Sequence, residues 1–322
     1  QWKEGVKRWI ESHYSHPSSG MFLSGLATGQ FDDPWMREQF ARFGLQHILA
    51  ISGFHFAVIA LFLNFILRLL FRQKIAIILL IAILGLYCIF LGPQPSILRA
   101  WLMCSIPLVG MLIQKQSSAL NTLGIALLFL LTFDPYMIQE LGFQLSFGTT
   151  AAILLFFQPM RSAMFSLLGG RKMGEVMEMT MTQQHGYLIL GFIRESLALA
   201  LAVNVFALPL TLFYFQQFPW MSLLYNVFFP LLTSISMCLL LTGSMMSFIP
   251  PLSKGIHFVN DHLTYFLLQL TYQIPHEVDL YLKLETFPSS LLVLSLTLTS
   301  VWGIYRKSRA KEMNGFEAIA MI

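Results

Sequence analysis

Apolar stretches long enough to cross a lipid bilayer recur along this chain from about residue 46 to residue 305. Short polar, basic or proline-containing turns separate them. A membrane-spanning helix needs about 20 predominantly apolar residues, so each stretch is a candidate span. The pattern predicts an all-α fold: a polytopic transmembrane helix bundle with about eight crossings, some of them amphipathic or interrupted.

The first apolar stretch, 44–71, contains polar residues that are costly in hydrocarbon. At about 100° per residue of helix, His47, Ser52 and His55 fall within an arc of roughly 140°. We therefore expect one face of this helix to meet protein or water and the other to meet lipid. The pair Ser52 and Gly53 allows a kink or an interruption at mid-membrane, where freed backbone groups can line a pathway.

The composition agrees with a membrane protein. Of the 322 residues, 56% are hydrophobic and 11% are charged, whereas soluble domains are about a quarter charged. We expect a single transmembrane domain over residues 46–305. A helical segment over residues 1–45 precedes it, and a basic tail over residues 306–322 follows it.

The charges are distributed unevenly along the chain. No acidic residue lies between Glu38 and Asp134. The basic residues in that interval are Arg42, Arg68, Arg72, Lys74, Arg99 and Lys115. Cytoplasmic loops of membrane proteins carry an excess of lysine and arginine, so the turn at residues 68–74 is predicted to be cytoplasmic.

That orientation determines the rest of the predicted topology. Residues 1–45 lie outside the cytoplasm, and the tail after Tyr305 lies inside it. The parity requires residues 254–274 to cross the membrane as well. Asp261 and His262 in that crossing are then expected to face protein or water.

Arg99 is a basic residue that the loop bias does not explain. It follows Pro95 and Ser96 and so lies in the first turn of a predicted helix. A cation at that position opposes the helix dipole and favours a nearby anion. Two anions remain open: the carboxylate of Glu140 in an interior ion pair, or a phosphate that meets both the guanidinium and the helix N-terminus.

No motif for metal binding or catalysis is present. His47 and His55 have no carboxylate or thiolate in their span, an HExxH pattern is absent, and the cysteine spacing matches neither a zinc motif nor a disulfide framework. We therefore expect no enzyme activity, no metal and no cofactor. Two alternatives stay open: an intramembrane enzyme that uses the two histidines with a metal or as acid and base, and a small-solute transporter built from broken helices.

Four stretches together resemble a known family. They are, in order, LQHILAISGFHF, GPQPSILRAWLM, DPYMIQELGFQLSF and LPLTLFYFQQFPWMSLLYNVFFPL. The chain resembles the membrane competence domain of ComEC-type bacterial DNA-uptake proteins over about residues 20–250. The resemblance implies an inner-membrane channel that passes single-stranded DNA into the cytoplasm during transformation.

Family members often add an oligonucleotide-binding-fold region and a metallo-β-lactamase-like hydrolase domain. Neither is visible in this sequence, which has no HxHxDH motif. We expect strand degradation to come from another polypeptide or from sequence beyond these residues. Single-stranded DNA and the lipid bilayer are the expected partners, and a DNA-binding protein, a nuclease, a cytoplasmic motor and further copies of this chain are candidates.

A DNA route needs polar linings and a positive potential that attracts phosphates but releases them. Arg99 is the candidate for contact with a phosphate. The candidates for lining or gating the route are His47, Ser52, Gly53, His55, Gln144, Ser146, Asn204 and Asn226.

Overall fold

The computed structural model describes residues 1–320 except 52, 93, 171–178, 276 and 278, and from residue 307 onwards it describes the backbone alone. Ser52, one of the predicted site residues, therefore lies outside the described residues. The predicted all-α fold is confirmed. Helices account for nearly all of the ordered structure, and one short two-stranded sheet accompanies them.

The helices before residue 170 are α1 Trp2–Glu11, α2 Pro17–Thr28, α3 Pro34–Arg42, α4 Gln46–Leu49, α5 Gly53–Leu70, α6 Gln73–Leu91, α7 Pro95–Leu112, α8 Ala119–Phe133 and α9 Leu141–Leu167, with a 3-10 turn at Pro135–Gln139. Those after it are α10 Met181–Phe215, α11 Met221–Met245, a 3-10 turn at Met246–Phe248, α12 Pro250–Tyr272 and α13 Ser289–Ala320. Strands β1 Gln217–Pro219 and β2 Tyr281–Lys283 pair with each other.

Within the described residues, six helical segments are long and apolar enough to cross a membrane: α5, α6, α7, α9, α10 and α11 with its 3-10 extension. Helix α8 is apolar but shorter. Large apolar side chains on these helices point away from the protein, as at Ile89 on α6, which is 78% exposed. A surface of this kind suits lipid rather than water, so the chain is a multi-pass membrane protein.

The chain divides into two compact units. The first contains residues Gln1–Phe147 and Pro219–Leu280, and the second contains residues Gly148–Phe218 and the chain from Tyr281 onwards. The core of the first unit is built from large apolar side chains such as Phe22, Phe40 and Phe229, all fully buried. In the second unit Phe156 stacks on Trp302 of α13, with ring centroids 5.4 Å apart.

The N-terminal helices are part of the first unit's core rather than a separate prelude to it. Helices α1 and α2 pack against each other, and α2 and α3 pack against α12. Arg42, at the end of α3, forms a bidentate ion pair with Asp279, with nitrogen–oxygen distances of 2.9 and 2.8 Å. Both side chains are largely buried, so this pair ties α3 to the segment that follows α12.

Helix α12 lies antiparallel to α11 along its whole length. Tyr225 near the start of α11 donates a hydrogen bond to the Leu270 carbonyl, and Ser253 near the start of α12 donates one to the Gly243 carbonyl. Between them, Ser236 donates to Asn260 Oδ1 at 2.6 Å. Helix α12 therefore accompanies a candidate span from end to end.

The burial pattern of α12 is the reverse of that of a soluble helix. Its buried residues are mostly polar: Ser253, His257, Asn260, Asp261, Thr264 and Thr271, together with Leu267 and Leu268. Phe258, Val259 and Phe266 are exposed. Asp261 is buried against protein, in agreement with the prediction for this segment, whereas His262 lies on the exposed side and its ring contacts Phe258.

Candidate functional site

Arg99 lies one turn inside the N-terminus of α7. Pro95 occupies the first helical position and Gln94 the N-cap, so the helix begins abruptly after residues 92–94. The side chain of Arg99 is 91% buried, and its Nε donates a 2.6 Å hydrogen bond to Ser146 Oγ on α9. A cation is thus fixed at the positive end of a helix dipole, inside the protein.

Gly53, the first residue of α5, lies directly against this guanidinium. A Cβ built on Gly53 would lie 2.7 Å from Arg99 Nη2, closer than real Cβ contacts. Glycine is therefore what allows the arginine to approach the start of α5. Ser96 Oγ, 3.4 Å from the Ile51 carbonyl, joins the same two chain segments.

Three sequence motifs converge at this point. Gly53 comes from AISGFHF, Arg99 from SILRAWLM and Ser146 from LGFQLSF. We call Gly53, Arg99 and Ser146 the Arg99 site. The sequence predicted all three as candidates, and the structure brings them into contact.

The two histidines of the first motif do not share one helix. His47 belongs to the four-residue α4 and is exposed, and its Nδ1 donates to the Gly44 carbonyl at 3.2 Å. His55 lies in α5 and is 98% buried. The chain leaves the helix between them, where Ala50 has an extended backbone. The stretch is therefore not one continuous helix: α4 ends at Leu49 and α5 begins at Gly53, an interruption of the kind that Ser52 and Gly53 allow.

The carboxylate of Glu140 does not form an ion pair with Arg99. Glu140 is exposed just before α9, and the ion pairs among the described residues do not include it. Gln144 donates instead to the Ile138 carbonyl of the 3-10 turn at 3.0 Å. Gln144 therefore ties the start of α9 to the 3-10 turn, two residues before Ser146.

The two predicted asparagines lie in different units. Asn204, in the second unit, donates a 2.8 Å hydrogen bond to the Ala200 carbonyl of its own helix. Asn226, in the first unit, is half-buried on α11. Among the residues that the structure describes, no group of three or more histidine, cysteine, aspartate or glutamate side chains is placed to hold a metal ion.

Comparison with known proteins decides the family. A family model described as competence protein matches residues 28–309. The chain belongs to the competence protein family. It is also 32% identical over 157 residues to ComE operon protein 3 of Bacillus subtilis (strain 168). That alignment covers 47% of this chain and 20% of the relative. The chain therefore spans about a fifth of that protein's length.

No solved structure matches this competence-family chain. The family match begins at residue 28, so it covers every residue of the Arg99 site and leaves α1 and most of α2 outside it. The Arg99 site is therefore part of the family's own domain.

Sequence reasoning missed one feature of this competence-family chain, a buried polar cluster between the N-terminal helices and α12. Asn260 Nδ2 donates to the Tyr14 hydroxyl, which lies 3.0 Å from His257 Nδ1. Asp261 accepts hydrogen bonds from the backbone N–H groups of Ser15 and His16. The run Asn260–His262 in an apolar helix signalled that a partner was needed, but not that residues 14–16 would supply it.

Proposed function

We propose that this competence-family chain is a channel component of the bacterial inner membrane that passes single-stranded DNA into the cytoplasm during DNA uptake. The observation that carries the proposal is the Arg99 site, a buried guanidinium held at a helix N-terminus by residues from three motifs. Family membership and the four-motif resemblance support the same role.

The chemistry of the Arg99 site suits a transient contact with phosphate. A guanidinium binds phosphate oxygens through paired, charge-assisted hydrogen bonds, and the free N–H groups at a helix N-terminus attract anions as well. Ser146, already bonded to Nε, orients the guanidinium. One fixed cation favours entry of a phosphate without the tight retention that a long basic groove would produce.

The other two residues of the Arg99 site, Gly53 and Ser146, carry no charge. Gly53 presents backbone, and Ser146 presents a hydroxyl, so a nucleic acid strand meets polar groups that make no strong sequence-specific demand. We propose that His47, His55, Gln144 and Asn226 contribute polar groups to the same route.

The basic residues support an orientation for the channel. Arg68, Arg72 and Lys74 lie at the turn between α5 and α6, the opposite end of α5 from Gly53. Because basic turns favour the cytoplasm, the Arg99 site faces the outer side of the membrane and meets incoming DNA first. We propose that a nuclease, a DNA-binding protein and a cytoplasmic motor act from other polypeptides.

The proposal is tested by DNA internalisation in a strain that lacks the gene. Labelled double-stranded DNA should still bind at the cell surface, while no label becomes resistant to external nuclease. Complementation with the wild-type gene should restore internalisation. Normal internalisation without the gene would contradict the proposal.

A reconstituted system separates transport by this chain from transport by its partners. The purified protein is reconstituted in liposomes, and an electrical potential is imposed across their membrane. It should then pass a short fluorescent single-stranded oligonucleotide. A neutral dye of similar size serves as the control for leakage. Equal flux of the two solutes, or equal flux in empty liposomes, would count against a DNA channel.

A further inference from the structure

Helices α1 and α2 form an antiparallel hairpin whose two open ends meet the same end of α6. Lys3 Nζ, near the start of α1, donates a 2.8 Å hydrogen bond to the Leu91 carbonyl, the last residue of α6. Gly29, directly after α2, packs against Ile51 and Leu91. Both limbs of the hairpin therefore begin at one end of a membrane-spanning helix.

The apex of the hairpin lies against the middle of α12. Ser15 and His16, in the turn between α1 and α2, donate their backbone N–H groups to Asp261, and Ser19 Oγ donates to the Asp261 carbonyl. Asp261 lies eleven residues before Tyr272, the last residue of α12. At 1.5 Å per residue the apex is about 17 Å from that end of the helix.

Helix α2 runs along α12 rather than across it, so the apex lies deep below the end of α12 near Tyr272. Phe22 of α2 contacts Phe40, and Phe40 contacts Phe229, just over two turns from the start of α11. The start of α11 lies beside the end of α12, where Tyr225 bonds Leu270. Helix α2 therefore runs parallel to α12, from Asp261 towards the end near Tyr272. Its length, 12 residues or about 18 Å, matches the depth of the apex.

The bilayer's hydrocarbon core is about 30 Å thick, so the apex reaches roughly its centre. Non-helical backbone at that depth is tolerated only where protein satisfies it. Asp261 does so: its carboxylate accepts hydrogen bonds from the partly buried N–H groups of the turn and lies at the N-terminus of α2, where an anion is favoured. His16 Nδ1 lies 3.1 Å from Asp261 Oδ2.

The outer surface of α1 is divided between two chemistries. Trp2, Val6 and Trp9 fall within about 60° of one another around the helix and are all exposed. Glu4 and Arg8 are also exposed, and they lie on a different side. If lipid surrounded both sides, two charges would sit in hydrocarbon; if water surrounded both, a tryptophan-rich face would be wetted.

We propose that the α1–α2 hairpin is a re-entrant membrane element, with the Trp2–Val6–Trp9 face of α1 against phospholipid and the Glu4–Arg8 face against water inside the bilayer's thickness. Trp9 continues the lipid-facing surface of α12, since it contacts His257, the neighbour of the exposed Phe258. The proposal holds whatever solute the protein passes.

Quenching of tryptophan fluorescence by brominated phosphatidylcholine tests the lipid contact. Two variants of the full chain are reconstituted, and each keeps one tryptophan, at position 2 or at position 9. Phenylalanine replaces the other five tryptophans in each variant. Trp9 should be quenched several-fold more by bromine in the middle of the acyl chain than by aqueous iodide, and Trp2 most by bromine near the headgroup. The positive control is an Ile89→Trp variant in the same background, on the exposed face of α6.

If iodide quenches Trp2 and Trp9 while neither bromolipid does, the face meets water or another protein and the proposal is wrong. Cysteine labelling gives a second, independent measurement in a chain without native cysteines. Glu4→Cys and Arg8→Cys should react with a membrane-impermeant maleimide at least tenfold faster than Val6→Cys. Equal reaction of Val6→Cys and Glu4→Cys would also overturn the proposal.

Discussion

At the scale of single residues, the proposed contact with DNA depends on close packing around Arg99. A buried cation requires hydrogen-bond partners, and Ser146 supplies one at 2.6 Å. Gly53 leaves space beside Nη2 that a Cβ atom would occupy, so a larger residue would make the guanidinium shift. The sequence signalled each residue separately, because a basic residue at a helix start, a glycine after a serine and a hydroxyl in a span are all unusual in apolar segments. Their mutual contact depends on how α5, α7 and α9 pack.

Replacement of Arg99 by alanine should lower DNA internalisation by about tenfold or more. Loss of a charge-assisted hydrogen bond costs about 1.5–3 kcal/mol, and about 1.4 kcal/mol corresponds to a factor of ten. The matched control is Lys115→Ala, which removes a basic residue from the exposed turn after α7. Nuclease-resistant DNA per cell is the measurement. Equal, wild-type internalisation in both variants would remove Arg99 from the route.

Substitution of Gly53 by alanine should displace the guanidinium without removing its charge. The added Cβ would lie 2.7 Å from Nη2, so the arginine or the start of α5 must move. We expect internalisation to fall while the amount of protein in the membrane stays near that of wild type. Gly124→Ala on α8 is the control, because a Cβ there meets nothing within 4 Å. If Gly53→Ala behaves like Gly124→Ala, the close contact has no role in transport.

At the scale of secondary structure, the membrane explains which elements the sequence predicted correctly. Apolar stretches became helices because hydrocarbon offers no other partner for backbone N–H and C=O groups. Their ends were less predictable: α9 continues through Pro159 to Leu167, although a proline commonly ends or kinks a helix. The first stretch divides into α4 and α5, since Gly53 begins a new helix beside Arg99.

Asp261 is the residue that anchors α12 to the N-terminal hairpin, so Asp261→Ala should destabilise the protein. The substitution leaves the partly buried N–H groups of Ser15 and His16 without their acceptor, at a cost of about 0.5–1.5 kcal/mol for each lost hydrogen bond. The midpoint of thermal unfolding in detergent should fall by several degrees. His262→Ala, at the exposed neighbouring position, should leave the midpoint almost unchanged. An equal midpoint for the two variants would contradict this account of Asp261.

At the scale of the whole molecule, the distribution of basic residues predicts the orientation in the membrane. A cysteine at Arg72, in the turn between α5 and α6, should be shielded from a membrane-impermeant maleimide added to intact cells and should react after the membrane is opened. A cysteine at Gln94, at the start of α7, should react in intact cells, since the two positions lie at opposite ends of α6. The reverse pattern would invert the proposed direction of DNA passage.

The amino-acid sequence by itself determined the membrane class, the all-α fold, the family and the residues of the Arg99 site. These follow from local signals: the length of apolar stretches, proline and basic residues at turns, and short motifs. Each signal can be read from residues that are neighbours in sequence. Only the tertiary structure decided which polar groups meet. Ser15 and His16 bond Asp261 from about 245 positions away in sequence, and Arg99 bonds Ser146 rather than Glu140, which is nearer in sequence. Partners of buried polar groups are selected by helix packing, and that selection leaves no periodic trace along the chain.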